Sequence, residues 1–269
     1  MKDRKMTHLR FDYDIGRFKP VTVVERGFHC PFCGREQLEN ILAQEGSIVW
    51  LKNKFPVLED TLQTVLIETE DCQSELSVYN KEHLHRVIRF GVEKWQELVR
   101  SGEYSSVLFF KNHGPYSGGT IRHPHMQIIG LKHLDYVPKI PQESFSGDVI
   151  VKEAGIELNL ATLPKIGFIE CNIRLRDPAK IDVMADYIQA VAHYLLHHFH
   201  KNCNSYNIFF YHLEEEIAVK LVPRFVTSPL FIGYSIPQIS SRGAEVVREI
   251  QLLYFAEGGA ALRAEGKSS

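Results

Sequence analysis

Two groups of residues in this sequence have types and spacings that could do chemistry. The first is Cys30-Pro31-Phe32-Cys33-Gly34. Two cysteines three apart in a tight turn aim both sulfurs at one point, which suits a tetrahedral metal ion. A pair of buried thiols would give the same letters. So would a redox pair, although that motif normally opens a helix after a strand. A closed metal site would need two further ligands. The second group runs from Asn112 to Gln127 and reads NHGPYSGGTIRHPHMQ. In it, Ser117-Gly118-Gly119-Thr120 offers backbone N–H groups with no Cβ obstruction, and its two hydroxyls add donors, so the loop reads as a phosphate cradle. His123 and His125 lie two apart on an expected strand and therefore share a face. One of them can bind a metal while the other faces the cradle. Gln127 shares that face and can donate to a phosphoryl oxygen.

A neutral imidazole nitrogen is a good nucleophile toward phosphorus. Attack on a nucleoside diphosphate compound would give a nucleotidyl-imidazole and expel the other half. A second phosphate could then collect the nucleotidyl group. The protein's share of both in-line steps is positioning and charge neutralisation. For attack by Nε2, Nδ1–H must be held by an acceptor such as a backbone carbonyl.

The elements that must position these groups come in two similar sets. Arg10–Glu25 is expected to form a hairpin with its turn near Asp14-Ile15-Gly16, and Ser47–Leu51 and Leu62–Glu68 read as strands. Leu84, Val87, Ile88, Val92, Trp95, Leu98 and Val99 follow helical spacing over 80–99, with Asn80 as cap. Strands follow at Ser106–Phe110 and Pro124–Leu131. In the second half, Asp177-Pro178 opens a helix to about His200, carried by Ile181, Met184, Ala185, Ile188, Val191, Ala192 and Leu195. Strands Asn207–Tyr211 and Ile217–Val222 come next. Phe209-Phe210 echoes Phe109-Phe110 about a hundred residues on, so helix, strand, turn, strand occurs twice. Two copies of one unit would fuse into one antiparallel sheet with helices alongside, an α+β fold. A last helix is expected over Ala244–Phe255, with fraying after Gly258.

The separated motifs resemble galactose-1-phosphate uridylyltransferase and its relatives, a family within the histidine-triad superfamily. Arg10-Phe11-Asp12 through Gly16, with Glu25-Arg26, resembles the family's opening hairpin. Cys30-Pro31-Phe32-Cys33 resembles its zinc knuckle, and Asn53-Lys54-Phe55-Pro56 its nucleotide-contact strand. Asn112, the 117–120 loop and His123-Pro124-His125-Met126-Gln127 resemble its active-site strand. Phe231-Ile232-Gly233-Tyr234 resembles a late strand. The resemblance implies two histidine-triad-like halves, 1–150 and 151–269, the first carrying the knuckle and active-site strand. It implies Zn2+ held by His123 with Cys30 and Cys33, and nucleophilic attack by His125. Asn53 would contact the nucleotide, Asn112 and Ser117–Thr120 would hold the phosphates, and Gln127 would stand beside the reacting phosphorus. Relatives often take the fourth zinc ligand from a Glu-Thr-Pro-Glu-His segment. Here it reads Glu68-Thr69-Glu70-Asp71-Cys72, which makes Cys72 the expected ligand, with His83 and His85 as rivals inside the helix.

The implied activity is a zinc-containing nucleotidyltransferase acting on nucleotide sugars through nucleotidyl-His125. With water or inorganic phosphate as acceptor, the same residues would make a hydrolase or phosphorylase of nucleotide sugars or dinucleoside polyphosphates. Without turnover they would make a nucleotide-binding zinc protein. Two departures matter. Relatives with a second metal have His-x-His where Ala218-Val219-Lys220 stands, so that site is expected to be absent. Hexose-binding relatives have Lys and Glu where Pro229 and Ser235 stand, which weakens galactose as the sugar. Relatives pair as dimers, so a homodimer is the assembly implied.

Composition sets the outer bounds. The 269 residues carry 31 Lys and Arg against 33 Asp and Glu. A net charge of -2 excludes a general polycation, so bulk binding to nucleic acid is not expected. No apolar run is long enough to span a bilayer. The charged start MKDRKMTHLRFDYD is no secretory signal, so a reducing, cytoplasmic setting is expected, with free thiols rather than disulfides. Cys171 and Cys203 are expected to be buried thiols. Trp95 and the Phe109-Phe110 pair read as core. His193, His197, His198 and His200 read as a solvated last helical turn, Glu214-Glu215-Glu216 as an exposed turn, and Arg26 and Arg122 as surface arginines.

Overall fold

A computed structural model describes residues 7–21 and 30–256 of the chain. Its strands are β1 (Ile41–Glu45), β2 (Ile48–Lys52), β3 (Thr61–Ile67), β4 (Ser106–His113), β5 (His125–Leu131), β6 (Gly147–Glu153), β7 (Ile156–Ala161), β8 (Cys171–Leu175), β9 (Tyr206–His212) and β10 (Ile217–Pro223). All ten join one sheet in the order β1-β2-β3-β5-β4-β9-β10-β8-β7-β6, and every neighbouring pair is antiparallel. Read outward from the centre, each half has the same order: fourth strand, fifth, third, second, first. The fourth strands, β4 and β9, pair at the middle with Phe109 opposite Phe210 and Phe110 opposite Phe209. The repeated aromatic pair is thus the seam of the molecule. Phe109 and Phe210 stack at 4.2 Å between centroids, and Trp95 lies against both.

Each half sends a long helix back across the same face of the sheet. Helix α1 is the short Tyr13–Gly16 turn, and α2 spans Lys81–Arg100. Asn80 caps α2 by accepting from the His83 N–H. A 3-10 turn at Pro178–Lys180, capped by the Asp177 carboxylate, leads into α3 (Ile181–Tyr194). That helix ends in a turn of π-helix, Leu195–Phe199. The apolar spacing of both helices is satisfied as periodicity requires. Leu84, Val87, Ile88 and Trp95 of α2, with Met184, Ile188 and Val191 of α3, pack on Leu66, Phe109, Met126, Ile128, Ile208 and Val219 in one core. Helix α5 (Gly243–Ile250), continued by a π turn at Gln251–Phe255, adds Val246 and Ile250. Cys171 and Cys203 are buried free thiols.

Three sequence expectations are corrected. The hairpin expected over Arg10–Glu25 is, in its described part, the helical turn α1. Asp12 accepts from the Ile15 N–H and starts that turn, and only Phe11 bridges to the chain at Leu58. Residues 22–25 and Arg26 lie outside the described part, as does the tail after Gly258. Phe231–Tyr234 is no strand but the end of helix α4 (Pro229–Tyr234). Ser228 caps it, Pro229 occupies its first turn, and Ser235 ends it in the left-handed region at φ 55°. Glu216 leaves the exposed Glu214-Glu215 turn, because its carboxylate is held by Arg174 and Arg176.

Candidate active site and metal cluster

The face of the sheet opposite the helices carries the candidate chemistry in its first half. Side chains alternate along a strand, so Met126 and Ile128 enter the helix-side core while His125 and Gln127 point to the other face. The register Lys111↔Met126, continued by one rung, sets Asn112 opposite His125. Asn112 is in turn opposite Asn207, and His125 is opposite Ile67. Directly opposed residues share a face, so Asn207, Asn112 and His125 form one row across three strands. Gln127 stands one strand repeat further along β5. Asn53 is on the same face but at its far side. Its N–H bonds the Gln63 carbonyl and its side chain accepts from the Phe55 N–H. Two strand spacings, roughly 10 Å, separate it from β5.

His123 precedes β5 and belongs to a different cluster. Cys30, Cys33, Cys72 and His123 each bring one ligand atom within 4.8 Å of the others, and the group could hold a metal ion. Cys30 Sγ and Cys33 Sγ lie 3.5 and 3.6 Å from His123 Nδ1. The other ring nitrogen, Nε2, is 2.8 Å from the Thr69 carbonyl. A carbonyl only accepts, so Nε2 carries the proton and Nδ1 faces the sulfurs with its lone pair. The Arg35 guanidinium donates to the same carbonyl, and Arg122 donates to the Cys72 carbonyl at 3.1 Å. His83 and His85 stay on α2. His85 bonds Asp186 on α3. The thiols disturb one another strongly. At Cys30 burial raises the pKa, but bonds from His123, the Phe32 N–H and Cys33 outweigh it and hold the group at about 6. Burial and the charge on Cys30 push Cys72 up to about 12. A divalent cation would relieve that competition.

His125 is held by a backbone atom. Its Nδ1 lies 2.7 Å from the His123 carbonyl. The proton is therefore on Nδ1, and Nε2 bears the lone pair. Burial is the first cause that lowers its pKa, to about 4, so the ring is neutral at pH 7. The ring is 7% exposed, with Phe32 edge-on at 5.5 Å. Phe32 also meets the His123 ring edge-on, so one side chain touches both histidines. Val49, Leu51, Val65 and Ile67 continue this apolar floor.

The loop expected to cradle phosphate walls a pocket of about 270 Å³ with Asn112, His113, Ser117, Gly119, Arg122 and Asn204 among its lining residues. His125, Gln127, Gly118 and Thr120 are not in that lining. Ser117 donates to the Gly114 carbonyl and accepts from the Gly119 N–H, so in this state these two groups knit the loop together. Gly114 is required, because it sits at φ 80° and a Cβ there would lie 2.0 Å from the Asn204 carbonyl. Asn207 and Arg224 are residues the sequence reading missed. Asn207 donates to Asn112 Oδ1 at 2.7 Å and to the Ser117 carbonyl at 3.0 Å, and Arg224 donates to Asn207 Oδ1 at 3.2 Å. The only sequence signal was the Phe209-Phe210 echo, which aligns β9 with β4.

The sheet, the helix pair behind it and the histidine strand in front define an α+β protein with the fold of galactose-1-phosphate uridylyltransferase-like proteins. Two family models match, the N-terminal and C-terminal domains of DUF4931, a domain of unknown function, over residues 11–134 and 137–255. The chain belongs to the DUF4931 family. It is similar to the crystal structure of a DUF4931 family protein from Bacillus cereus ATCC 10987, with 50% identity and a TM-score of 0.72, covering 78% of this chain and 97% of that one. An ADP-glucose phosphorylase from Arabidopsis thaliana, solved with bound ADP-glucose, is 15% identical with a TM-score of 0.69, over 86% and 92% of the two chains. A GalT-like protein from the same plant is 16% identical with a TM-score of 0.67, over 93% and 100%. These two likenesses establish the fold alone. A di-/tripeptide transporter of Lactobacillus helveticus is 46% identical over 50 residues, which is 19% of this chain and 10% of the transporter. The chain thus spans about a tenth of the length of that curated relative. No described helix is long and apolar enough to cross a membrane.

Proposed function

We propose that this protein is a zinc-containing nucleotidyltransferase that acts on nucleotide sugars through a nucleotidyl-His125 intermediate. The observation that carries the reading is the bond from His125 Nδ1 to the His123 carbonyl, which leaves Nε2 of a neutral imidazole as the nucleophilic atom. Asn112 in the same row and Gln127 beside it supply amide donors for phosphoryl oxygens. In the first step Nε2 bonds to the α-phosphorus, and the bond from phosphorus to the bridging oxygen breaks. The departing sugar phosphate keeps that electron pair. In the second step an acceptor phosphate oxygen attacks the same phosphorus and Nε2 regains its lone pair.

The fourfold cluster suits zinc by its donor set and by the two sulfur-to-nitrogen distances at His123. With Zn–S near 2.3 Å and Zn–N near 2.05 Å, a tetrahedron has an S···N edge of about 3.6 Å, beside the observed 3.5 and 3.6 Å. Three sulfurs and one nitrogen leave no open position, so the ion's contribution is structural. It would pin His123, and with it the carbonyl that holds His125.

The test is mass spectrometry of the metal-loaded protein after mixing with ADP-glucose or UDP-glucose. The expected product is an acid-labile nucleotidyl adduct on His125, absent in His125→Gly, with turnover reduced by at least about four orders of magnitude. Adding inorganic phosphate, a sugar phosphate or neither then identifies the acceptor. No adduct with any nucleotide sugar, on protein shown to retain zinc, would sink the reading.

A further inference from the structure

The hydrogen bonds between β4, β9 and the residue after β10 have a fixed polarity, and that polarity reaches the pocket. Arg224 carries donors and no acceptor. Its Nη1 can meet Asn207 only at the carboxamide oxygen, as observed at 3.2 Å. Asn207 is 2% exposed, so its amide has no room to average between two orientations. Its nitrogen is therefore the donor to the Ser117 carbonyl at 3.0 Å and to Asn112 Oδ1 at 2.7 Å. With its oxygen engaged, Asn112 has its nitrogen on the side away from Asn207. Asn112 lines the 270 Å³ pocket beside Gly119, which packs so close that a Cβ there would lie 3.0 Å from the Asn112 Cβ and 3.9 Å from its Nδ2. Arg224 is itself fixed, by its backbone N–H on the Ser205 carbonyl at 2.8 Å and its Nη2 on Thr227. Ser205 in turn accepts from the Tyr116 N–H, which ties the loop to the same strand.

We propose that Arg224 and Asn207 are positioning residues. They form a relay that sets the direction of two carboxamides in series, so that Asn112 presents N–H donors, not its oxygen, to the pocket. The ligand group this selects is an acceptor-rich anion, a phosphoryl group. The relay spans both halves of the chain: the second half decides which way a first-half side chain points. Glu75 also borders this pocket. Its carboxylate accepts from Tyr206 and Ser77, which draws its oxygens toward these hydroxyls. The phosphoryl part of this proposal rests on the nucleotidyl reading above, whereas the amide direction stands on the hydrogen bonds alone.

The test uses the metal-loaded full chain with pyrophosphate and ADP as probes. Arg224→Met and Asn207→Leu should each weaken binding by about ten- to hundredfold, the range for a lost bond to a charged group. Arg224→Lys, which keeps a donor, should restore most of it. Combining Asn207→Leu with Asn112→Leu should add little to Asn112→Leu alone, because both act through one amide. A ligand-free readout separates the relay from folding: the Asn112 side-chain 1H–15N pair, assigned by its loss in Asn112→Leu. It should shift in Arg224→Met and return in Arg224→Lys at similar melting temperatures. An unmoved resonance, or fully additive binding losses, overturns the relay even if wild type binds both probes. If wild type binds neither probe while the resonance behaves as expected, the amide direction stands, and both the phosphoryl assignment and the nucleotidyl reading fall.

Discussion

The two halves share one strand order, yet they spend the face opposite the helices in different ways. In the first half that face holds a row of neutral polar groups, Asn112 and His125, beside a pocket walled by the 114–119 loop. In the second half the same face holds Asn159, Asn172 and Lys220 in one row, on that half's second, third and fifth strands. All three are buried, under Phe145 and the 137–146 connector. Lys220 donates to the Ser144 carbonyl at 2.8 Å and lies over the Phe145 ring. Its Nζ is 2.8 Å from Glu170 Oε2, off the hydrogen-bond direction, while Glu170 Oε1 accepts from the Lys165 and Ile166 N–H groups. One half opens its polar row to a pocket at Asn112, and the other buries the whole row. Strand order alone therefore does not decide which half keeps a polar side chain at a pocket. The loop after the fourth strand and the segment laid over the fifth decide it.

The sharpest way to break this comparison is to unbalance the sealed row. Lys220→Met strands the Glu170 carboxylate and should cost about 3–5 kcal/mol of unfolding free energy in urea titrations. Lys220→Met with Glu170→Gln should recover most of that loss while leaving adduct formation in the first half intact. A single variant no less stable than wild type would mean the pair is not sealed from water.

The first half has a half-buried base at the same pocket. His113 stacks on Tyr206 at 4.8 Å. Burial first, then the Lys111 charge, lowers its pKa to about 4. The unfolded chain takes up that proton below its ordinary value near 6.5 and the native state does not. Stability should therefore fall as pH drops from about 6.5 to about 4, by roughly 2–3 kcal/mol from this group. His113→Phe keeps the stack and should flatten that limb of a melting-temperature profile. An unchanged slope would assign the acid sensitivity to other histidines.

The smallest effect tests the likeness of the halves. Asn80 caps α2 and Asp177 caps the 3-10 turn that leads into α3, each by side-chain acceptance. Each alanine variant should cost about 1 kcal/mol in chemical denaturation, and unequal losses would show that the two helices are not energetically equivalent.

Much of this was legible in the sequence because it was carried locally. The Cys-x-x-Cys turn, the two histidines with Gln127, and the long helices each write their geometry into residue spacing. Cys72 was reachable only through the family resemblance, and the structure sets it beside Cys30, Cys33 and His123. The strands β6, β7 and β8 escaped notice because polar residues such as Asn159, Asn172 and Arg174 interrupt their apolar runs. Asn172 bonds Asn159 and Arg174 bonds Glu216 across the folded sheet, contacts that no local spacing announces. The α4 error has a different cause. Ser228-Pro229 is a sound helix start, but resemblance to a strand elsewhere outweighed it. Asn207 and Arg224 could not be found from spacing at all, since their meaning depends on the β4–β9 register.

That register also limits how the molecule can be divided. A fragment severed after residue 134 would retain all four members of the cysteine–histidine cluster, the imidazole at 125 and the glycine loop. It would nevertheless bare the entire edge of β4 and surrender the buried carboxamide that sits across from Asn112. The catalytic-looking portion is thus not self-sufficient: its half-molecule would be an unfinished sheet with an unsteered side chain at its heart.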